Sequence, residues 1–382
     1  MRTTRLGGVA VSLTAALAIG ACGSSSSTGS SASGGGGSTG SSSPAASGGG
    51  SSAISGGAIN GAGSTLAQPI YQQWGDNLKS KGLAVNYNGV GSGAGVADLQ
   101  TATVDFAGSD PALKAEDKKA MKGDVLQFPV AFGAITVSYN LPGIKTGLKL
   151  DGPTTADIFS GKIKTWNDPA IKKLNPGMNL PSTAITVVHR SDSSGTTKGF
   201  TTYLSDVSPS WKSSIGADKD VKWPVGTGAA KNSGVAAAVK QTQGAVGYVE
   251  QAYALLNGFT YAAIKNGSSY VLPTIANTSS AAQGITVPSD LGISTINSST
   301  AGAYPIVSQT FMDVYKDPCK DGKESASTAK ALKSFLGYAF GAGQQTLGSG
   351  GDKLPYAPLP SALAAKDNAQ LATMTCNGSA IS

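Results

Sequence analysis

Thr186-Val187-Val188-His189-Arg190-Ser191-Asp192-Ser193-Ser194-Gly195-Thr196-Thr197 reads as a strand that runs into a helix through a hydroxyl-rich turn. The β-branched run Ile185 to Val188 suits a strand, and Ser193-Ser194-Gly195-Thr196 can open a helix continuing through Lys198 to Leu204. A junction of this kind brings hydroxyls, free amide N–H groups and the positive end of a helix dipole to one point. Arg190 stands at that point. Lysine and arginine total 29 residues, and of the arginines only Arg2, Arg5 and Arg190 occur. A surface built on lysine thus reserves one planar fork of donors for this turn, and such a fork suits an oxyanion.

Three further segments repeat the design. Gly61-Ala62-Gly63-Ser64-Thr65-Leu66 reads as a flexible glycine loop entering an amphipathic helix with Leu66, Ile70, Tyr71, Trp74 and Leu78 on one side. Ser64 or Thr65 can cap that helix or donate to a ligand. Leu83 to Val90 reads as a strand leading through Gly91-Ser92-Gly93-Ala94-Gly95 into another helix. Its glycine spacing does not match a dinucleotide fingerprint, and no Gly-x-x-x-x-Gly-Lys-Ser/Thr loop occurs anywhere in the chain. Val104-Asp105-Phe106-Ala107-Gly108-Ser109-Asp110-Pro111 is a short strand whose turn exposes Asp110. An acid beside an anion site makes sense when the anion carries a proton. Phosphate has one to give and sulfate has none, so a carboxylate here favours phosphate.

The ends of the chain concern location. Met1 to Arg5 is basic and Leu6 to Ile19 is mildly apolar, too short for a mature membrane span; residues 1–21 read as a secretory signal peptide. Leu17-Ala18-Ile19-Gly20-Ala21-Cys22 resembles a bacterial lipobox, which makes Cys22 the expected lipidated residue and membrane anchor. Residues 22–57 form a Gly/Ser linker without charge or aromatic residue; as a flexible coil its 35 residues after Cys22 span ~30–35 Å. About 325 residues remain, enough for two lobes. The formal net charge of +7 comes without a cluster of lysines and aromatics, so no nucleic-acid partner is expected. With Cys22 assigned to lipid, Cys319 and Cys376 are left either as an extracytoplasmic disulfide or as two separate thiols. His189 is the single histidine, and no metal site or cofactor is expected.

Taken in order, Gly61 to Thr65, Val85-Asn86-Tyr87, Gly91-Ser92-Gly93, Val104-Asp105-Phe106, Ser109-Asp110, Gly161 to Asp168, Arg190 to Thr196, Lys222 to Gly226 and Gly244 to Glu250 resemble the phosphate-binding proteins of bacterial ABC phosphate importers. The resemblance runs from about Gly61 to about Leu354. It implies an α/β, two-lobe type II periplasmic-binding-protein fold with a ligand cleft between lobes. It implies further that Thr65 and Ser92 donate hydroxyl and amide to phosphate, Leu66 donates its amide, Asp110 accepts the phosphate proton, and Arg190 supplies the positive charge. Ser194, Gly195 and Thr196 cradle the anion, with Asp192 orienting the arginine and Ser64 in support. Taking a doubly charged anion out of water calls for roughly a dozen fixed donors, about what this set holds. The implied partners are the membrane permease subunits of the importer, which receive phosphate from a monomeric, lipid-anchored, extracytoplasmic binder.

The apolar runs Ala134 to Tyr139 and Tyr304 to Val307 are the expected crossings between lobes, giving lobe I at 58–135 plus 303–382 and lobe II at 136–302. The helical stretch Ala329 to Phe340 is expected to pack on lobe I. Two other functions share parts of this pattern: a binder of another tetrahedral oxyanion such as sulfate, and an extracytoplasmic phosphatase or serine hydrolase using Ser194 or Ser193 with His189. The second lacks a Gly-x-Ser-x-Gly elbow and a metal cluster. His189, next to Arg190 in a strand, points to the opposite face.

Overall fold

The computed structural model describes residues 54–381. The expected signal peptide at 1–21, Cys22 with its expected lipidation, and the linker up to residue 53 lie outside the described residues. The sheet begins at Gly57, whose N–H bonds to the carbonyl of Gly82 at 2.9 Å.

One long sheet organises the chain. Its strands lie in the order Leu83–Gly89, Gly57–Gly63, Phe106–Ser109, Val307–Tyr315, Val125–Tyr139, Ala245–Glu250, Thr186–Arg190 and Thr227–Ala229, with Thr260–Tyr261 also paired to Val125–Tyr139. The first three strands are mutually parallel, as are the last three. Between these parallel groups run two antiparallel strands, Val307–Tyr315 and the 15-residue Val125–Tyr139. Val125–Tyr139 changes partner midway: Ala134 is the last residue opposite Val307–Tyr315, and Ile135 is the first opposite Ala245–Glu250. Both central strands are buried along almost their whole length; Val125–Tyr139 reads as a largely apolar run without strand alternation, whereas Val307–Tyr315 also buries Ser308, Gln309, Thr310 and Asp313.

In each parallel group a strand ends at a turn that opens a helix. The helices Gln68–Lys79, Ser92–Thr101 and Gly195–Val207 each follow such a strand. The two parallel groups run in opposite directions, so the helix N-termini of one group face that of the other, and Gly93 N–H reaches the Ser193 carbonyl; unpaired first-turn amides collect there.

Gly61-Ala62-Gly63, expected as a flexible loop, is instead the end of the Gly57–Gly63 strand. Glycine is there for close packing. A Cβ on Gly61 would overlap the Phe106 ring, and one on Gly63 would overlap the backbone of Gly108 on the next strand. Phe106 is itself fixed by Tyr71, Tyr87 and Phe335, with ring centroids at 5.5, 5.8 and 5.6 Å. Phe335 comes from the helix Ala326–Phe340, which packs against the Gly57–Gly63 strand and carries the expected apolar face. A second aromatic cluster, Phe159, Phe200, Trp223 and Tyr248, fills the core beside Thr186–Arg190. Near the C-terminus Cys319 and Cys376 are joined as a disulfide with Cα atoms 5.0 Å apart. Asp317 braces the same corner: although burial alone would raise its pKa, the N–H groups of Gly378, Asn377 and Lys320 and the Thr375 hydroxyl hold the carboxyl below its ordinary range.

Gly61→Ala is expected to lower stability by about 1–3 kcal/mol through overpacking against an immobile ring. Urea unfolding followed by circular dichroism checks this, with a midpoint equal to that of the wild type contradicting the packing role.

Candidate functional site

The facing turns of the two strand groups converge on a small buried site. Arg190 ends its strand with its side chain almost wholly enclosed, the residue being 3% exposed. Nε donates to Asp192 Oδ1 at 2.7 Å and Nη2 donates to Asp192 Oδ2, so two edges of the fork grip one carboxylate. Burial acts to raise the Asp192 pKa, but the bond and charge of Arg190, with the Lys231 N–H, hold it below the ordinary value. The remaining nitrogen, Nη1, is buried without an acceptor. A buried charged donor left unpaired costs at least ~1–3 kcal/mol, which marks the place where an anion belongs.

Neutral donors lie on the turns next to Arg190. Ser194 caps the helix Gly195–Val207 by accepting from the Thr197 N–H at 3.1 Å, which keeps its hydroxyl proton for donation. The first-turn amides of Gly195, Thr196 and Ser92, and the amide of Thr65, have no protein acceptor among the described residues. The Thr65 hydroxyl oxygen accepts from Asn232 twice, and the Thr196 hydroxyl oxygen accepts from it once. Both O–H groups are thus available as donors. Thr65 is fixed from behind by Tyr253, whose hydroxyl donates to the Thr65 carbonyl at 2.8 Å.

Asp110 supplies the acceptor. It is 1% exposed. Its Oδ1 accepts from Ser64 Oγ at 2.5 Å and from Thr310 Oγ1 at 3.0 Å, and Oδ2 accepts from Ser92 Oγ at 3.4 Å. Burial pushes its pKa up to about 6, against the opposing pull of the Ser64, Thr310 and Ser92 hydroxyls and the Arg190 charge. Gln309 Nε2 donates to the Asp110 carbonyl at 2.8 Å and fixes the turn.

Thr65, Leu66, Ser92, Asp110, Arg190, Ser194, Gly195 and Thr196 all lie on these turns or at their strand ends. Leu66 N–H is already satisfied within its own turn, donating to Ser64 Oγ at 3.0 Å. Ser64 Oγ also receives the Ala67 N–H, because a hydroxyl that donates to Asp110 has its lone pairs free for the turn behind it. The two sides of the site touch. Gly93 N–H donates to the Ser193 carbonyl at 3.1 Å, and a Cβ on Gly195 would overlap Asp110 Oδ2 and Ser92 Oγ. His189 lies apart: its ring stacks on Trp223 at 4.8 Å and its Nδ1 meets the Arg190 carbonyl at 2.9 Å. It makes no bond to Ser193 or Ser194.

Asn232, Thr310 and Gln309 escaped the sequence reading. Asn232 left one trace. On the helix Lys231–Gln241 it shares the buried face of Val235, Ala236 and Val239, where the helical period calls for an apolar residue. Thr310 and Gln309 sit in a strand that only tertiary pairing brings to Asp110.

A family model for the PBP superfamily domain matches residues 24–342. The phosphate-binding protein PstS of Pasteurella multocida is 41% identical over 320 residues, covering 82% of this chain and 90% of that protein. Its counterpart in Xylella fastidiosa is 40% identical over 307 residues, covering 79% and 81%. The structure of a high affinity periplasmic phosphate-binding protein (PfluDING) bound with phosphate has a TM-score of 0.65 at 24% identity, over 81% of this chain and 93% of that one. The fold is the type II periplasmic-binding fold.

An anion that occupies the site stabilises the folded state by mass action, by about 4 kcal/mol at a thousandfold excess over Kd. Inorganic phosphate is therefore expected to raise Tm in the wild type and to leave Arg190→Met nearly unmoved. Differential scanning calorimetry distinguishes this from an equal rise in both proteins, which would place binding elsewhere.

Proposed function

We propose that this chain, which belongs to the PstS family of phosphate-binding proteins within the PBP superfamily, captures inorganic phosphate at the Arg190–Asp110 site and hands it to the permease of an ABC importer. One observation carries the assignment: the buried Arg190 Nη1 lacks an acceptor while free amides and hydroxyls surround a single buried carboxylate. An array of donors with one acceptor matches an anion that carries a proton. In this reading Arg190, Thr65, Ser92, Ser194, Gly195 and Thr196 donate to phosphate oxygens, and Asp110 accepts from the phosphate hydroxyl. Asp192 aims the fork and Ser64 aims Asp110. The Leu66 amide is the weakest of the assigned donors, because it must be shared with Ser64.

The two sides of the site belong, in this proposal, to lobe I at 58–135 with 303–382 and lobe II at 136–302. The change of partner between Ala134 and Ile135 supports that division, since a single strand there passes from one set of neighbours to the other. Closure of the lobes buries phosphate and makes the form that the permease recognises. Among the described residues no helix is long and apolar enough to cross a membrane. Retention at the outer face of the cell membrane is assigned to lipidation of Cys22, with the Gly/Ser linker as tether and the body acting as a monomer. No catalytic residue is assigned.

The rival reading, a receptor for sulfate or another fully ionised oxyanion, differs at Asp110. Ionised, the carboxylate repels sulfate; protonated, it donates to it. Its pKa of about 6 means that the neutral form grows as pH falls through that value. Phosphate preference over sulfate should then narrow from pH 8 to pH 5, and Asp110→Asn should narrow it by about ten- to a hundredfold at pH 8, the weight of one charge-assisted hydrogen bond, and by less as pH falls. Competition binding with labelled phosphate measures both. A selectivity in Asp110→Asn equal to that of the wild type would remove the carboxylate from the account.

A further inference from the structure

Asn232 has no exposed surface, yet it is an amide on the apolar face of its helix, and every polar atom it carries is used. Oδ1 accepts from the Glu250 N–H at 3.0 Å, which settles the orientation of the amide group: a flip would set NH2 against N–H. Nδ2 is therefore directed at two hydroxyl oxygens, Thr65 Oγ1 at 3.0 Å and Thr196 Oγ1 at 3.2 Å. The Asn232 backbone N–H adds a second bond to Thr65 Oγ1 at 3.3 Å. Its neighbour Lys231 holds a left-handed backbone with φ of 66°, and the Lys231 N–H bonds to Asp192 Oδ1 at 3.0 Å, so the acid that aims Arg190 also seats this helix start.

A threonine hydroxyl can donate one bond and accept two. Two N–H groups on Thr65 Oγ1 fill its acceptor capacity, and its proton is left to point away from Asn232. Thr65 follows the Gly57–Gly63 strand on one side of the site, whereas Thr196 opens the helix Gly195–Val207 on the other. We propose that Asn232 is a positioning residue: without touching the anion, it makes the Thr65 hydroxyl an obligate donor toward it, takes one acceptor site of the Thr196 hydroxyl and so turns that proton away from itself, and fastens the two sides of the site together while they are closed. This rests on the phosphate reading above and adds to it the group that sets the direction of two hydroxyl protons 131 residues apart in sequence (196 − 65).

Asn232→Asp replaces the donor Nδ2 by an oxygen. As a carboxylate it accepts from Thr65 and Thr196 and draws their protons away from the ligand; once protonated it regains a donor. Phosphate affinity of Asn232→Asp is expected to fall by about a hundredfold or more at pH 8, and the gap to the wild type is expected to close as pH is lowered. Stopped-flow binding should place the loss in the dissociation rate, with association largely kept. A double-mutant cycle with Thr65→Val gives a readout that does not depend on the Asp variant folding. Asn232→Ala should weaken phosphate binding about tenfold in the wild-type background and less than about threefold when Thr65 is already Val, because the hydroxyl it orients is gone. Additive losses in the cycle, or an Asn232→Asp deficit that is constant with pH, would reduce Asn232 to a packing role and overturn the proposal. A wild-type protein that binds no phosphate would overturn both this and the phosphate reading, whereas normal binding by the wild type and both Asn232 variants would overturn this alone.

Discussion

A guanidinium nitrogen buried without an acceptor destabilises the protein that holds it, and the architecture around Arg190 is organised to tolerate that cost. Asp192 takes Nε and Nη2, so the fork is already oriented and largely neutralised before any ligand arrives. Nη1 alone is left over. The other donors are neutral and belong to the backbone or to hydroxyls; those of Ser92, Ser194, Gly195 and Thr196 are fixed at the starts of helices Ser92–Thr101 and Gly195–Val207, and Thr65 is fixed by Asn232 and Tyr253. Dipoles fixed in this way stabilise an anion without the reorganisation water would need. They also act over short range only, which places the selection in geometry and leaves little to long-range attraction.

Geometry alone cannot separate two tetrahedral anions of similar size, and Asp110 adds the missing distinction. Its carboxyl is held by Ser64, Thr310 and Ser92, so it cannot swing away from an anion that offers no proton. The same burial that makes it unyielding lifts its pKa to about 6. Selectivity and pH sensitivity therefore have one origin. The sheet completes the design: because Val125–Tyr139 is shared by both strand groups, the two halves of the site are linked through a continuous strand, and the glycines at 91, 93 and 195 let their rims meet without a Cβ between them.

Much of this was legible before the fold was known. The strand–turn–helix at Thr186 to Leu204 appears as the strand Thr186–Arg190 and the helix Gly195–Val207, because β-branched residues, a capping serine and helix formers all agree locally. The Arg190–Asp192 pair, two residues apart, was implied by the family resemblance and forms as a contact within one turn. Gly61-Ala62-Gly63 misled, since glycine signals turns as readily as close packing, and only the Phe106 ring decides between them. The Leu66 amide donates to Ser64 two residues back, a contact that local pattern cannot rank against a ligand. Asn232 and Thr310 were hidden because their partners lie 167 and 200 residues away. No propensity reports a bond made by folding.

The most direct test of the central claim is calorimetric titration of the purified, anion-stripped protein with phosphate and then sulfate at pH 8 and matched ionic strength. The account predicts phosphate binding at about micromolar Kd or tighter, equivalent to roughly 8 kcal/mol or more, and no heat from sulfate. Sulfate binding of comparable strength, or binding of neither anion, would contradict it.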